Sequence, residues 1–199
     1  MKKNIAVFAS GKGTNLGAII DSINAGRLKA RIALVVSDRR GALALKRSQK
    51  AGINTLYADP EKFVSKQDYE KFIIERLKKE NVELIVLAGF MRILSPFFIN
   101  KYKNRILNIH PALLPAFKGA HAILDAYNYG VKVTGVTVHF VDEMVDHGPI
   151  VLQVSETVSG LESMAELEKK IHKLEHKLYP VAIAKVLSGR LSIRGRRVQ

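Results

Sequence analysis

Two rhythms of hydrophobic and polar positions alternate along the chain. The apolar run "NIAVFAS" precedes a glycine-rich stretch and a segment of helical spacing from Thr14 to Ala25. "RIALVVS" and a helix-period stretch from Gly41 to Ala51 then repeat the order. Strands alternating with helices in this way predict a parallel sheet. A short strand at "INTLY", a helix from about Ser65 to Glu80, the strand "ELIVLAG", a short helix near Pro96 and a strand at "RILNIH" continue the pattern. Strands unbroken in Val, Ile and Leu have both faces covered.

A helix over His121–Tyr129 leads to "KVTGVTVHFV" and "PIVLQVSETV", two strands expected to pair. The last element is long. Ser163 with Glu166 three residues on forms a capping box, and Met164, Leu167, Ile171, Leu174 and Leu178 follow at helical spacing. Pro180 is expected to kink or restart this helix. The predicted fold is α/β: an open, mostly parallel, Rossmann-like sheet with helices on both faces and antiparallel strands near the C-terminal part. Without repeats, low-complexity linkers or a composition shift, residues 1–199 read as a single domain.

Composition narrows the chemistry. A chain of 199 residues is long enough to bury roughly 70% of its unfolded surface. With no cysteine, disulfides, thiolate metal sites and a cysteine nucleophile are excluded, which suits a reducing cytoplasm. No signal peptide or stretch of transmembrane length is recognisable, so no membrane partner is expected. The formal charge of +14 is spread along the chain: residues 1–100 carry 18 basic and 9 acidic side chains, and residues 101–199 carry 14 and 9. Only the tail "GRLSIRGRRVQ" concentrates it, without interleaved aromatics for base stacking. A diffuse positive field suits small phosphorylated molecules as well as solubility, and nucleic acid is not the expected partner.

Two stretches carry candidate chemistry. "FASGKGTN" follows the first strand and opens the first helix, so its amides form a potential anion site. Gly11 and Gly13 permit positive φ and close backbone approach, Thr14 is a candidate N-cap, and Asn15 adds a donor. The spacing is neither a Walker A loop nor a full dinucleotide fingerprint; one phosphate fits it better than a pyrophosphate, and a tight strand-to-helix turn is the competing reading. In "RILNIHP" the period of two sends Asn108 and His110 to one face. Pro111 ends the strand, and open α/β sheets hold ligands at the carboxyl ends of their strands. An amide beside an imidazole can cradle a developing oxyanion; a polar pair capping a strand is the alternative. Asp146 in "VDEMVDHGPIVLQ" is the candidate carboxylate that would favour the His110 imidazolium. His139 reads as support for that pair.

The chain resembles the phosphoribosylglycinamide formyltransferase family over essentially its whole length, through "SGKGTN", "LAGFMRILS", "LNIHPALLPAFKG", "TGVTVHFV", "DHGPIVLQ" and "LEHKLYP" in order. The resemblance implies formyl transfer from 10-formyltetrahydrofolate, the co-substrate, to the amine of 5-phosphoribosylglycinamide, in purine (IMP) biosynthesis. It implies Asn108, protonated His110 and Asp146 as the catalytic trio. Gly11, Lys12, Gly13, Thr14 and Asn15 would hold the substrate phosphate, with His172, Lys173 and Glu175 completing the ribonucleotide site and Glu175 meeting the amine end. Lys66, Phe90, Met91, Arg92, Ile93, Leu94, Asn108, Val141 and Glu143 would line the folate pocket, and Gly119, His121 and His139 would support the site. Lys12 stands where the family often has Asn, and His172 where many relatives have Gln or Lys. These departures could alter phosphate affinity.

No metal is expected, since the histidines lack ligand spacing of the zincin kind. The chain is expected to be a monomer or a homodimer. Another folate-dependent formyltransferase or a formyltetrahydrofolate hydrolase is the nearest alternative, though both normally carry a further domain for which no room is left before Gln199. A basic nucleic-acid-binding module using the Arg-rich tail is the alternative of a different class.

Overall fold

The first strands form where β-branched and aliphatic residues run without interruption. A computed structural model describes residues 2–199. In it β1 (Lys3–Phe8) and β2 (Ala30–Ser37) pair in parallel, β3 (Thr55–Tyr57) extends β2, and β4 (Leu84–Leu87) pairs in parallel with the other side of β1. With β5 (Ile106–His110), β6 (Val133–Phe140) and β7 (Ile150–Thr157) they make a seven-stranded sheet of order β3-β2-β1-β4-β5-β6-β7. The β6–β7 pair is antiparallel, so the sheet is the mostly parallel α/β sheet the hydrophobic pattern predicts.

Two compact units divide the chain after Leu107. In the first, α1 (Thr14–Asn24), α2 (Leu43–Lys50), α3 (Lys66–Lys79) and α4 (Pro96–Lys101) accompany β1 to β4. Its core is aliphatic around Ile5, Val7, Leu34, Ile73 and Val86, with Phe8 meeting Phe90 and Phe98 edge to face. Ser65 caps α3, accepting from the Asp68 N–H. α4 starts at Ser95, whose N–H and hydroxyl both donate to the buried Glu70 carboxylate of α3.

In the second unit the long α6 (Met164–Leu187) packs on β6 and β7, and α5 (Ala122–Tyr129) packs against α6. The Ser163–Glu166 capping box is present. α6 continues through Pro180, so the helix does not restart there. Proline in a helix interior costs about 3 kcal/mol, and here Tyr179, Ala182 and Ile183, all fully buried, hold the helix in one piece around it. After α6 a two-stranded hairpin follows, β8 (Ile193–Arg194) and β9 (Arg197–Val198), where sequence pattern showed only an arginine-rich tail.

Candidate active site

β5 brings Asn108 and His110 to one face of the strand, as its period of two requires, while Ile109 turns the other way. His110 is only 3% exposed. The loop from Val141 to Pro149 leaves β6 and returns to β7. It is drawn shut by the Phe140 N–H donating to the Pro149 carbonyl at 2.8 Å. At Gly148 a Cβ would lie 1.9 Å from the Phe140 carbonyl oxygen, so the backbone can pass there only without a side chain. Within this loop Asp146 adopts φ +46°, a left-handed conformation that few residues other than Gly, Asn and Asp tolerate.

That conformation aims its carboxylate at the strand pair. Oδ1 accepts from the Asn108 amide at 3.3 Å, and Oδ2 accepts from the Gly119 N–H at 2.9 Å and lies 3.3 Å from His110 Nδ1. His139 on β6 stands 3.2 Å from the Asn108 nitrogen and 3.6 Å from Asp146 Oδ1. Its Nδ1–H is committed to the Phe140 carbonyl at 2.8 Å. Its Nε2 faces the Asn108 amide and fixes the plane of that amide. The other nitrogen of His110, Nε2, donates to the Phe117 carbonyl at 2.7 Å.

Burial lowers the proton affinity of His110, and the Asp146 charge, the Phe117 carbonyl and the more distant Glu175 only partly restore it. His110 therefore binds its proton less readily than an ordinary imidazole. This corrects the expectation of a resident imidazolium: a carboxylate neighbour favours the charged ring, but desolvation of a ring this enclosed outweighs it. Burial also opposes the charge of Asp146, yet the His139 ring, the Gly119 N–H and His110 together hold its carboxyl below the usual range.

On α6, the residues three apart at His172 and Glu175 meet, His172 Nδ1 lying 2.7 Å from Glu175 Oε2, with Glu168 3.4 Å from the other ring nitrogen. The Glu175 hydrogen bond is the main reason His172 holds its proton more tightly than usual, against some burial.

The first unit carries the glycine loop. Gly13 is the N-cap of α1 at φ +68°, with Ala44 so close that a Cβ would come within 2.9 Å. Thr14, expected as the cap, is instead the first helical residue, because only a glycine fits the left-handed turn against α2. Gly11 is not left-handed, so the positive φ allowed for it is not used. Asn15 is buried with its Oδ1 lacking a hydrogen-bond partner. Ser10 ties this loop to the segment after β4: its N–H donates to the Gly89 carbonyl, its hydroxyl donates to Asp38 at 2.6 Å and accepts from the Met91 N–H at 2.9 Å.

Residues 3–183 match the formyl transferase family. The chain is 41% identical over 195 residues to phosphoribosylglycinamide formyltransferase of Bacillus subtilis (strain 168), covering 98% of this chain and 99% of that one. The chain belongs to the phosphoribosylglycinamide formyltransferase family. Glycinamide ribonucleotide transformylase 1 of Symbiobacterium toebii superposes with a TM-score of 0.96 at 44% identity, over 100% of this chain and 93% of that one. The chain also aligns over 96% of its length with the human trifunctional purine biosynthetic protein adenosine-3, at 39% identity, while spanning 19% of that longer protein.

Within this formyltransferase, Asn108, His110, Asp146, His139 and Gly119 converge in the second unit. In the first unit Met91, Arg92 and Ile93 follow β4 as irregular backbone, Met91 and Ile93 leaving 61% and 65% of their surface exposed while Phe90 and Leu94 anchor the segment in the core. Arg92 lies over the Tyr69 ring at 5.4 Å. Val141 is half-buried and Glu143 exposed on the Asp146 loop. Lys12, Lys66 and Lys173 are exposed, and His121 is an exposed N-cap of α5 that makes no side-chain cap. Two participants lay outside sequence expectation: Ser10, directly before the glycine loop, and the Phe117 carbonyl, set by a residue at φ +49°. Among the described residues no group of three or more His, Asp or Glu side chains is arranged to hold a metal ion, and no helix is long and apolar enough to cross a membrane.

Proposed function

We propose that this chain transfers the formyl group of 10-formyltetrahydrofolate to the amine of 5-phosphoribosylglycinamide, giving formylglycinamide ribonucleotide and tetrahydrofolate in purine biosynthesis. The observation that carries the reading is the Asp146 carboxylate, held in a left-handed backbone between Asn108 and His110. In this reading residues 1–199 serve as one formyltransferase domain in the cytoplasm. Its substrate phosphate is taken by Gly11 to Asn15, at the backbone N–H groups that open α1. The exposed apolar side chains of Met91 and Ile93, with irregular backbone beside them, suit a flat heterocycle that hydrogen-bonds through amide-like edges. The co-substrate supplies an activated formyl carbon bonded to nitrogen.

The transfer is direct, without a covalent enzyme intermediate. The substrate nitrogen bonds to the formyl carbon as the carbonyl electrons move onto oxygen, and Asn108 turns one N–H from Asp146 Oδ1 to donate to that oxyanion while the other stays on His139. His110 starts neutral, with its proton on Nε2, so Nδ1 is free to receive the proton lost by the attacking amine, relayed through water. The imidazolium so formed has an acceptor at each nitrogen, Phe117 O and Asp146 Oδ2, and adds its charge to oxyanion stabilisation. The carbon–nitrogen bond to the folate then breaks, and the proton passes to the departing nitrogen. His139 and Gly119 keep Asn108 and Asp146 in place. Incubating the folded protein with both substrates and following the formylated product by mass tests the reading; no product would overturn it.

A further inference from the structure

The C-terminal hairpin reaches the loop that carries Asp146. Arg196 Nη2 donates to the His147 carbonyl at 2.6 Å, and its Nη1 lies 3.0 Å from His147 Nε2 and 3.2 Å from Nδ1. His147 Nδ1 in turn sits 2.7 Å from Asp142 Oδ2, and Asp142 Oδ1 accepts from the Met144 N–H at 3.1 Å. With the His147 proton on Nδ1 the ring donates to Asp142, and Nε2, the nearer of the two nitrogens to Arg196 Nη1, accepts from it.

This chain of contacts braces the loop at the residue next to Asp146. Glu143, Met144 and Val145 are exposed, so the stretch leading to Asp146 has no core anchor of its own. Its ends are fixed at Phe140 and Pro149, and the Asp146 carboxylate is fixed by Asn108 and Gly119. A left-handed non-glycine residue persists only where the surroundings over-determine it. The His147–Gly148 peptide, one residue past Asp146, is held at its carbonyl by Arg196. The hairpin offering that arginine is closed by its own backbone bonds between Ser192 and Gln199, with Gly195 at φ +59° in the turn.

We propose that Arg196 is a positioning residue for formyl transfer: by clasping the carbonyl and ring of His147 it holds Asp146 in register with His110. The proposal rests on the reading of Asp146 given above. It also assigns a task to a segment beyond residues 3–183, where the family match ends.

The test is Arg196→Ala in the full chain, with hydrogen exchange of residues 141–149 and steady-state kinetics measured together. Exchange should quicken in that loop while the rest of the second unit is unchanged. kcat should fall by about ten- to a hundredfold, the range that a displacement of about 1 Å at a reacting group produces. The KM for the ribonucleotide should stay within about twofold of wild type, and low-millimolar guanidinium ion should restore part of the lost kcat. Arg196→Lys, which keeps the charge but cannot fork to ring and carbonyl together, should remain close to Ala. Arg194→Ala, on the neighbouring strand of the same hairpin, should leave turnover unchanged. Unaltered loop exchange, unaltered kcat, or a loss that guanidinium does not relieve would each overturn the proposal. A wild-type protein that forms no product would instead overturn the formyl-transfer reading, and the exchange measurement would still decide whether the clasp exists.

Discussion

Asp146→Asn separates charge from shape at the site. The new amide can keep its oxygen toward the Gly119 N–H and turn its NH2 toward His139 Nε2, giving up the bond that Oδ1 accepts from Asn108, so the fold should survive. With that bond disappears a negative charge 3.3 Å from His110 Nδ1. Two unit charges at that distance interact by about 5 kcal/mol at an effective dielectric of about 20. Carboxylates beside an imidazole shift its proton affinity by about one to three pKa units, or about 1.4–4 kcal/mol, and the smaller range is the appropriate one because water and neighbouring dipoles screen the pair. If His110 must take up the amine's proton during attack, that energy enters the barrier, and kcat should fall by about ten- to a thousandfold. The pH profile supplies the sign. His110 rests neutral with its proton affinity lowered by burial, so kcat/KM should rise with pH along an acid limb lying below the ordinary value of 6.5 and stay level above it. In Asp146→Asn that limb should move further toward acid, with a lower plateau. The assay is product formation by mass across about pH 5 to 8, with denaturant titration of both proteins to show equal folding. Turnover within about threefold of wild type, or a wild-type rate that falls as pH rises from about 6 to 8, would refute the reasoning; the second result would mean that a resident imidazolium is required.

Gly13→Ala forces a left-handed alanine, costing about 1–2 kcal/mol, and drives its Cβ to 2.9 Å from Ala44; the denaturant midpoint should drop and competition by inorganic phosphate should weaken, whereas unchanged phosphate competition would remove this loop from the anion site. Ser10→Ala leaves the Met91 N–H without its acceptor, a loss of about 1–3 kcal/mol, and should raise the KM for the folate more than that for the ribonucleotide; equal effects on both would argue that Ser10 only joins two loops. His172 holds its proton more tightly in the folded chain, so its contribution to stability is fully present below about pH 6.5 and disappears as pH rises through the raised value. His172→Ala should therefore destabilise the protein more at about pH 6 than at about pH 9, and a difference independent of pH would show that the Glu175 contact carries no charge.

The sheet was legible because its signals are local: β1, β2 and β4 are runs of Val, Ile and Leu whose period needs no partner to be recognised. The pairing of Asn108 with His110 was legible for the same reason, since a strand's alternation alone puts both on one face. Helix ends were less so. The cap of α1 fell to Gly13 rather than Thr14 because of Ala44, a neighbour from another helix, and α6 ignored Pro180 because buried residues on both sides of it outweigh the lost backbone bond.

The charge of His110 shows a limit of a different kind. Chemical type and proximity point to an imidazolium beside Asp146, but the sign of the shift depends on how much water the folded chain removes, and that is set by the whole packing around β5 and β6. A neutral ring between two acceptors is the more useful starting state for this reaction. An imidazolium already paired with Asp146 has no position left for the amine's proton, whereas a neutral ring gains one and keeps both neighbours satisfied. The Arg196 contact is the extreme case, joining residues 49 positions apart through a carbonyl and a ring that no spacing rule connects. A tail that reads from sequence as a cluster of positive charge thereby becomes, in three dimensions, the support of one backbone conformation at Asp146.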